Sequence, residues 1–292
     1  MEQPPFEYAR LDVPLAPLTR YNVGGPADVV LLPRNAEEVR EAYAWMRRQS
    51  VPRLVLGGGS NVLVDSAGFP GIVLCTTELK SLEALGDDRY DVGAGVMLAR
   101  LVREVMLPNN YAGVGALTGI PGSVGGAIYM NAGTVNGSTC ALMRSVDVLD
   151  ADGVQTIPMT PDRYTYRGQT FCPRGAVILG GVFAFEAAEE DQTAIHEHYL
   201  HRRNEKQPAG HCCGSVFKNP EGDHAGRLIE ACGLKGLRHG GARISDMHAN
   251  FIMNEDSAHS DDIRWLIEHA KAAVRERFGI LLEEEVRIIQ GA

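Results

Sequence analysis

The sequence predicts an α+β chain of two or three domains, and three observations carry that expectation. Short apolar strand runs and helical patterns alternate through the first two thirds of the chain, with a hairpin signal at Asp152-Gly153. A charged helical stretch from Glu189 to Asn204, ended by Pro208, reads as a connector. Beyond it the chain has helix and strand patterns of its own, enough for a compact α+β unit. A length of 292 residues supplies mass for more than one core without staples. With 45% hydrophobic and 22% charged residues, disordered and fibrous classes are excluded. The formal charge of −9 argues against a nucleic-acid partner, so an anionic ligand has to be held by local donors.

Taken in order, Ala27 to Leu32 reads as a strand stopped by Pro33. Asn35 caps a helix, with Glu38 in a capping-box position and Val39, Ala42, Tyr43 and Met46 as the apolar stripe. Arg53 to Leu56 is a strand entering Gly57-Gly58-Gly59-Ser60-Asn61, and Val62-Leu63-Val64 is another short β-type run. Strands follow at Gly71 to Thr76 and Tyr90 to Val96, then a helix around Leu98, Leu101, Val102 and Val105 that stops at Pro108. The stretch Gly119-Ile120-Pro121-Gly122-Ser123-Val124-Gly125-Gly126-Ala127 reads as a second glycine-rich turn running into a short apolar strand. Ser145 to Asp150 and Val154 to Met159 flank the hairpin, and a strand pair is expected across Ala176 to Phe185. In the last part, a helix from Ala225 to Cys232 stops at Gly233, and a strand or two lies between Gly241 and Met253. Ser260 caps a helix with apolar face Ile263, Leu266, Ile267, Ala270 and Val274, which Gly279 ends, and a strand from Ile280 to Ile289 closes the chain.

Glycines packed as closely as in the two turns mean a backbone that needs positive φ or one that a ligand approaches too closely for a Cβ. A Rossmann fingerprint or a P-loop needs a helix after the turn, and no helix or Lys-Ser pair follows Gly57-Gly58-Gly59. Gly113-Val114-Gly115 lacks the third glycine of a dinucleotide fingerprint. The turn is then either a nest of main-chain N–H groups for phosphate or a tight hairpin. Two turns of the same grammar can line two sides of one phosphate-bearing ligand.

Three further stretches set reactive side chains beside turn glycines. In Tyr164-Thr165-Tyr166-Arg167-Gly168 the arginine suits a planar carboxylate, and equally suits covering the tyrosine rings. Ser215, directly after Gly214, has no Gly-x-Ser-x-Gly elbow and no histidine placed to activate it. Its hydroxyl suits giving up or relaying a proton, or simply closing a turn. In Leu282 to Ile288, alternation puts Glu283, Glu285 and Arg287 on one strand face, either as a held carboxylate or as a charged edge. The six cysteines show no framework spacing, and neither His211-Cys212-Cys213 nor the His196, His198, His201 set has zinc spacing, so no metal is expected. The start of the chain has no signal-like pattern and there is no long apolar run, so the expectation is a cytoplasmic protein without membrane contact.

In their order and wording these stretches resemble the UDP-N-acetylenolpyruvoylglucosamine reductases. The likeness rests on Arg20 to Ala27, Gly57 to Leu63, Gly119 to Gly126, Gly214 to Pro220, Gly233-Leu234-Lys235-Gly236, His248-Ala249-Asn250-Phe251 and Leu282 to Arg287. The resemblance implies a two-lobed FAD-binding domain of the vanillyl-alcohol-oxidase (PCMH) type over residues 15–188, with lobes of 15–78 and 79–188, and a small substrate-binding domain over 200–292. It implies a tightly bound, non-covalent FAD whose diphosphate is faced by Gly57, Gly58, Gly59, Ser60 and Asn61 and by Gly119, Pro121, Gly122, Ser123, Gly125, Gly126 and Ala127. It further implies that NADPH and the nucleotide sugar use one pocket in turn, that Ser215 protonates substrate carbon, and that Arg167 and Glu285 act on the enolpyruvyl carboxylate. Arg203, Lys206, Asn219 and Arg287 match positions that hold the diphosphate or the acid group, and a monomer or weak oligomer is expected.

Gln169 stands where the family usually has serine, and Val135 where an aromatic is common. The short interval between Arg167 and Ser215 places the chain in the compact branch, without the capping-loop insertion. Two other classes remain open on the sequence: an FAD oxidase or dehydrogenase of a small hydroxylated substrate, and a nucleotide-sugar binding module without activity.

Overall fold

In the computed structural model, which describes residues 1–291, the chain forms two units that alternate along the sequence. One comprises Met1–Leu11, Val29–Gly58 and Gly71–Arg202; the other comprises Asp12–Asp28, Gly59–Pro70 and the chain from Arg203 onward.

The first unit has two lobes. A four-stranded sheet is built from β1 (Ala9–Pro14), β2 (Pro26–Leu31), β3 (Arg53–Leu56) and β5 (Phe69–Cys75) in the order β1-β2-β5-β3, while β4 (Val62–Val64) belongs to the other unit. β3 and β5 run parallel, Arg53 opposite Ile72 and Leu56 opposite Cys75. Helix α1 (Ala36–Arg48) connects β2 to β3. It starts where expected, with Asn35 accepting from the Glu38 N–H at 2.9 Å, and it buries Val39, Ala42, Tyr43, Trp45 and Met46.

The second lobe is an antiparallel sheet of β6 (Leu82–Gly86), β7 (Arg89–Gly93), β10 (Met143–Asp150), β11 (Gly153–Pro158) and β14 (Val177–Ala184), ordered β11-β10-β14-β7-β6. The hairpin at Asp152-Gly153 is present, with Asp150 opposite Gly153. Ala176 to Phe185, expected to be a strand pair, is instead the single central strand β14. Its Gly180 and Gly181 do not turn the chain. A Cβ on Gly180 would lie 2.4 Å from the Val92 carbonyl and one on Gly181 2.3 Å from that of Ser145, so these glycines admit the two neighbouring strands.

Helices α2 (Leu98–Leu101), widening into a π-type turn at Val102–Met106, α3 (Val114–Leu117) and α4 (Val124–Met130) pack Leu98, Leu101, Val114 and Ile128 onto this sheet with Val146 and Phe183. Two short hairpins, β8–β9 (Gly133–Thr134, Gly137–Ser138) and β12–β13 (Tyr164–Thr165, Gly168–Gln169), decorate it, and α5 (Gln192–Lys206) follows. The presence of α4 corrects the expectation of a strand after the second glycine turn. Val124, Ala127 and Ile128 are buried at helical spacing, and Asn131 ends the helix in the left-handed region at φ 42°.

The second unit joins helix α6 (Ala225–Ala231), strands β15 (Arg238–His239), β16 (Ala242–Ile244) and β17 (Ile252–Asn254), helix α7 (Ser260–Phe278) and β18 (Arg287–Ile289). β15, β16 and β17 form an antiparallel sheet, and β18 runs parallel to β4 with Arg287 opposite Val62. Its core holds Val216, Phe217, Leu228, Ile263, Leu266 and Val286. The closing strand is shorter than the expected Ile280 to Ile289: it is β18, preceded by a single bridge between Phe217 and Glu284. The cap of α7 is His259, not Ser260, whose hydroxyl accepts instead from the Ser66 N–H at 3.0 Å. Gly279 ends α7 at φ +69°, as expected.

Candidate active site

The two glycine turns touch. The Gly58 N–H donates to the Ser123 hydroxyl at 3.1 Å, and Ser123 itself is 1% exposed. Side chains would force the turns apart: a Cβ on Gly57 would lie 2.9 Å from Ser123 Oγ, and one on Gly58 3.0 Å from the Ser123 nitrogen. Main-chain bonds fix the second turn from behind, with Leu98 N–H donating to Gly122 O at 3.0 Å and Gly125 N–H to Ala94 O at 2.8 Å. Gly125 packs against Ala94, where its Cβ would sit 2.8 Å from that of Ala94. Gly119 is exposed, Pro121 half-buried and Ala127 buried.

In front of Gly126 the space is open, since a Cβ there would meet only Ser123 Oγ at 3.8 Å. Gly57, Gly58 and Gly126 are each half-exposed. Together they form a cradle of bare main chain that a Cβ would fill, a surface suited to the oxygens of a diphosphate approached by N–H groups. The first turn is therefore no simple hairpin, and β4 follows it without an intervening helix.

In the second unit the same turn continues into Gly59, Ser60 and Asn61. Gly59 sits at φ +59° with room for no side chain, a Cβ there lying 1.9 Å from Leu18 O. Asn61 donates its amide to the Glu285 carbonyl at 2.9 Å and accepts from the Arg287 N–H at 3.0 Å. Glu285 is in turn laid beside the serine segment, because its N–H donates to Val216 O at 2.8 Å. Ser215 and Glu285, both half-buried, thus stand on adjacent segments.

The neighbours of Glu285 are engaged elsewhere. Glu283 pairs with Lys218, and Glu284 with Lys271 at 2.6 Å. The pair with Glu284 holds the Lys271 ammonium above its ordinary range.

Asn250 is the residue whose part the sequence did not disclose. It is 3% exposed, and its carbonyl accepts from Val216 N–H at 2.8 Å. Its side-chain oxygen accepts from Phe217 N–H at 2.9 Å, and its amide donates to Phe217 O at 2.8 Å. An amide set between the apolar Ala249 and Phe251, both buried, is the signal that could have found it. His248, two residues earlier, accepts the Asn250 N–H on Nδ1 at 3.2 Å, and burial, then the Lys235 charge, pushes its imidazole pKa below the ordinary value.

Arg167 lies in the first unit at the turn of hairpin β12–β13, at φ 56°. Its guanidinium donates to Gly133 O at 3.2 Å and lies 4.9 Å from the centroid of the Tyr166 ring. Gln169 lends Arg167 none of these bonds. Its side-chain oxygen accepts from Phe171 and Cys172 N–H at 2.7 and 2.6 Å, and its amide donates to Cys172 O at 3.0 Å. Val135 stands at the tip of hairpin β8–β9, 95% exposed.

Arg203 is half-buried and Lys206 exposed on the last turns of α5; Arg287 is exposed on β18. The side-chain oxygen of Asn219 accepts from Ala225 N–H at 3.1 Å, at the start of α6, leaving its amide as the group open to another partner. Among the described residues no three His, Cys, Asp or Glu side chains lie together as metal ligands. Cys213, 5% exposed, donates its thiol to Val62 O at 3.2 Å, and burial pushes its pKa up to about 12.

Against this geometry, the family profile described as "FAD binding domain" matches residues 27–157, and the profile "UDP-N-acetylenolpyruvoylglucosamine reductase, C-terminal domain" matches 206–289. The UDP-N-acetylenolpyruvoylglucosamine reductase of Desulforamulus reducens is 38% identical over 286 residues, 96% of this chain and 93% of that one. The chain belongs to the UDP-N-acetylenolpyruvoylglucosamine reductase family.

The reductase of Enterococcus faecalis is 39% identical, covering 96% of this chain and 93% of its own. The crystal structure of the reductase from Thermus caldophilus superposes with a TM-score of 0.81 at 32% identity, over 97% of this chain and all of that one. The fold is accordingly an FAD-binding domain followed by the reductase C-terminal domain. Among the described residues no helix is long and apolar enough to cross a membrane.

Proposed function

We propose that this chain is an FAD-dependent reductase that uses NADPH to convert the enolpyruvyl ether of UDP-N-acetylglucosamine into UDP-N-acetylmuramate, a peptidoglycan precursor, in the cytoplasm. Family membership over 96% of the chain supports the reaction. The pairing of the Ser215 and Glu285 segments through Val216 O supports the division of labour within it.

The residues fit the cofactor. Gly57, Gly58 and Gly126 present bare main chain where a diphosphate needs close approach, and we assign Ser60, Asn61, Gly119, Pro121, Gly122, Ser123, Gly125 and Ala127 to the same cofactor. Bound there, FAD would supply the hydride chemistry that links NADPH to the vinyl carbon. Arg167 stabilises the negative charge that develops on the carboxylate side of the substrate, and Glu285 polarises the same group. Ser215 delivers the proton to the neighbouring carbon. Arg203, Lys206, Asn219 and Arg287 hold the diphosphate or the acid group, with NADPH and the sugar nucleotide taking turns in one pocket and the enzyme working as a monomer or weak oligomer.

The test is NADPH oxidation with and without the enolpyruvyl nucleotide sugar, with the product followed by mass. Dependence on that substrate and a product heavier by two hydrogens support the assignment. Oxidation that proceeds equally without it, through dioxygen, would make the protein an oxidase instead.

A further inference from the structure

Gly214, immediately before Ser215, stands at φ +75°, and nothing lies within 4 Å of where its Cβ would be. Packing at that position does not steady the serine. The ordering comes from the residues that follow, Val216 and Phe217, each 1% exposed, whose main-chain groups need partners within the protein.

Those partners come from two segments. The Val216 carbonyl accepts from Glu285 N–H at 2.8 Å and from Val286 N–H at 3.2 Å. The Phe217 N–H, at the other end of the same peptide unit, donates to the Asn250 side-chain oxygen at 2.9 Å. A peptide unit is a rigid plane, and in its trans form the N–H and C=O point opposite ways. Asn250 and the Glu285 segment therefore grip one plane from opposite sides.

The amide of Asn250 also donates to Phe217 O at 2.8 Å, so its side chain gives Phe217 the donor and acceptor that a neighbouring antiparallel strand would give. A main-chain N–H only donates and a carbonyl only accepts, which fixes which end of the carboxamide faces which group. Asn250 is itself anchored in the connection from β16 to β17, its N–H donating to His248 Nδ1 at 3.2 Å and its carbonyl accepting from Val216 N–H at 2.8 Å. All of these residues belong to the second unit.

We infer that Asn250 is a positioning residue for proton delivery: through the peptide between Val216 and Phe217 it sets where Ser215 stands relative to Glu285. The inference rests on the proposed roles of those two residues. Both ends of the carboxamide are engaged by Phe217, so its contribution is placement.

The experiment compares Asn250→Ala, Asn250→Leu and Asn250→Asp in the full-length holoenzyme with Ser215→Ala and with the double variant Ser215→Ala, Asn250→Ala. Ala removes the side-chain clamp and leaves a cavity; Leu removes it and fills the volume, so the test survives if the cavity prevents folding. Asp keeps the acceptor for Phe217 N–H, and with it the grip on the shared peptide. Stopped-flow absorbance follows reduction by NADPH and then reoxidation by saturating enolpyruvyl nucleotide sugar, and chemical denaturation records stability. In the Ala and Leu variants reoxidation slows by about 10- to 100-fold, the range expected when a reacting group is misplaced by up to an ångström. Reduction and flavin content hold. In the Asp variant reoxidation returns toward the parent rate while stability stays reduced, a separation that a purely structural residue would not give. The double variant reoxidises no more slowly than Ser215→Ala alone, because a misplaced serine and a missing one forfeit the same step.

Reoxidation at the parent rate in the Ala or Leu variant, an Asp variant as slow as Ala, equal loss in both half-reactions, or losses that multiply in the double variant would each overturn the positioning role. Reoxidation of Ser215→Ala at the parent rate is a separate outcome: it would overturn the serine's part in proton delivery, on which the inference stands.

Discussion

The main-chain N–H of Gly58 donates to the hydroxyl of Ser123 at 3.1 Å, joining two glycine turns that lie 65 residues apart in the chain. That one bond makes a single wall out of two loops.

Ser123→Ala keeps the Cβ and removes the acceptor, leaving the Gly58 N–H without its partner at a half-buried position. The expected cost is about 1–2 kcal/mol in stability, with a lower FAD content after gel filtration. Flavin absorbance per protein and a thermal melt check both. Gly58→Ala, pressing a Cβ to 3.0 Å from the Ser123 nitrogen, is expected to lose more flavin than Ser123→Ala.

For Ser215→Ala, reduction of the enzyme by NADPH stays as in the parent, and reoxidation by the enolpyruvyl nucleotide sugar slows by roughly 10²–10⁴-fold. Stopped-flow absorbance separates the two half-reactions. Equal loss in both would remove the serine from the proton-delivery step.

Asn250→Ala strips the side-chain clamp on Phe217 and keeps the main-chain bond from Val216 N–H. A buried, 3% exposed amide with two bonds to Phe217 is expected to cost about 2–4 kcal/mol on removal. Asn250→Asp, which keeps the acceptor and loses the donor to Phe217 O, is expected to fall between. Chemical denaturation of the three proteins ranks them.

A pH dependence follows from His248. Burial lowers its pKa from the ordinary 6.5, so the folded state favours the neutral ring and the unfolded chain binds the proton more readily. Its contribution to stability is therefore complete above pH 6.5 and is lost as the pH falls from there toward the lowered value. Protonation also turns Nδ1 from acceptor to donor and breaks the bond from Asn250 N–H. Melting temperature is expected to drop on acidification in the parent, with a weaker drop in His248→Asn, whose amide oxygen accepts without titrating.

Much of this was legible in the sequence because local chemistry and fold agreed. Asn35 and Glu38 announce α1, Gly279 announces the end of α7, and Arg53 to Leu56 is strand β3 residue for residue. The glycine turns were legible as places of close approach, though not that Ser123 is what approaches Gly58. The misreadings have physical causes. Val124 to Met130 is too short, and too interrupted by glycine, to show a helical period, and the left-handed Asn131 that ends it looks like any loop residue. Gly180-Gly181 resembles a turn because a pattern cannot show that the carbonyls of Val92 and Ser145 press on both sides. His259 displaces Ser260 as the cap of α7 because the serine hydroxyl is already engaged by Ser66. The Asn250 clamp on Phe217 depends on a pairing across 33 residues, which no local pattern encodes.

The most direct test of the central claim is an anaerobic absorption titration of the purified protein, first with NADPH and then with the enolpyruvyl ether of UDP-N-acetylglucosamine. The account predicts a yellow protein that bleaches with NADPH and regains its colour on addition of the nucleotide sugar, with the lactyl ether formed in equal amount. A protein that remains colourless after reconstitution with FAD, or one that bleaches and stays bleached until air is admitted, would contradict it.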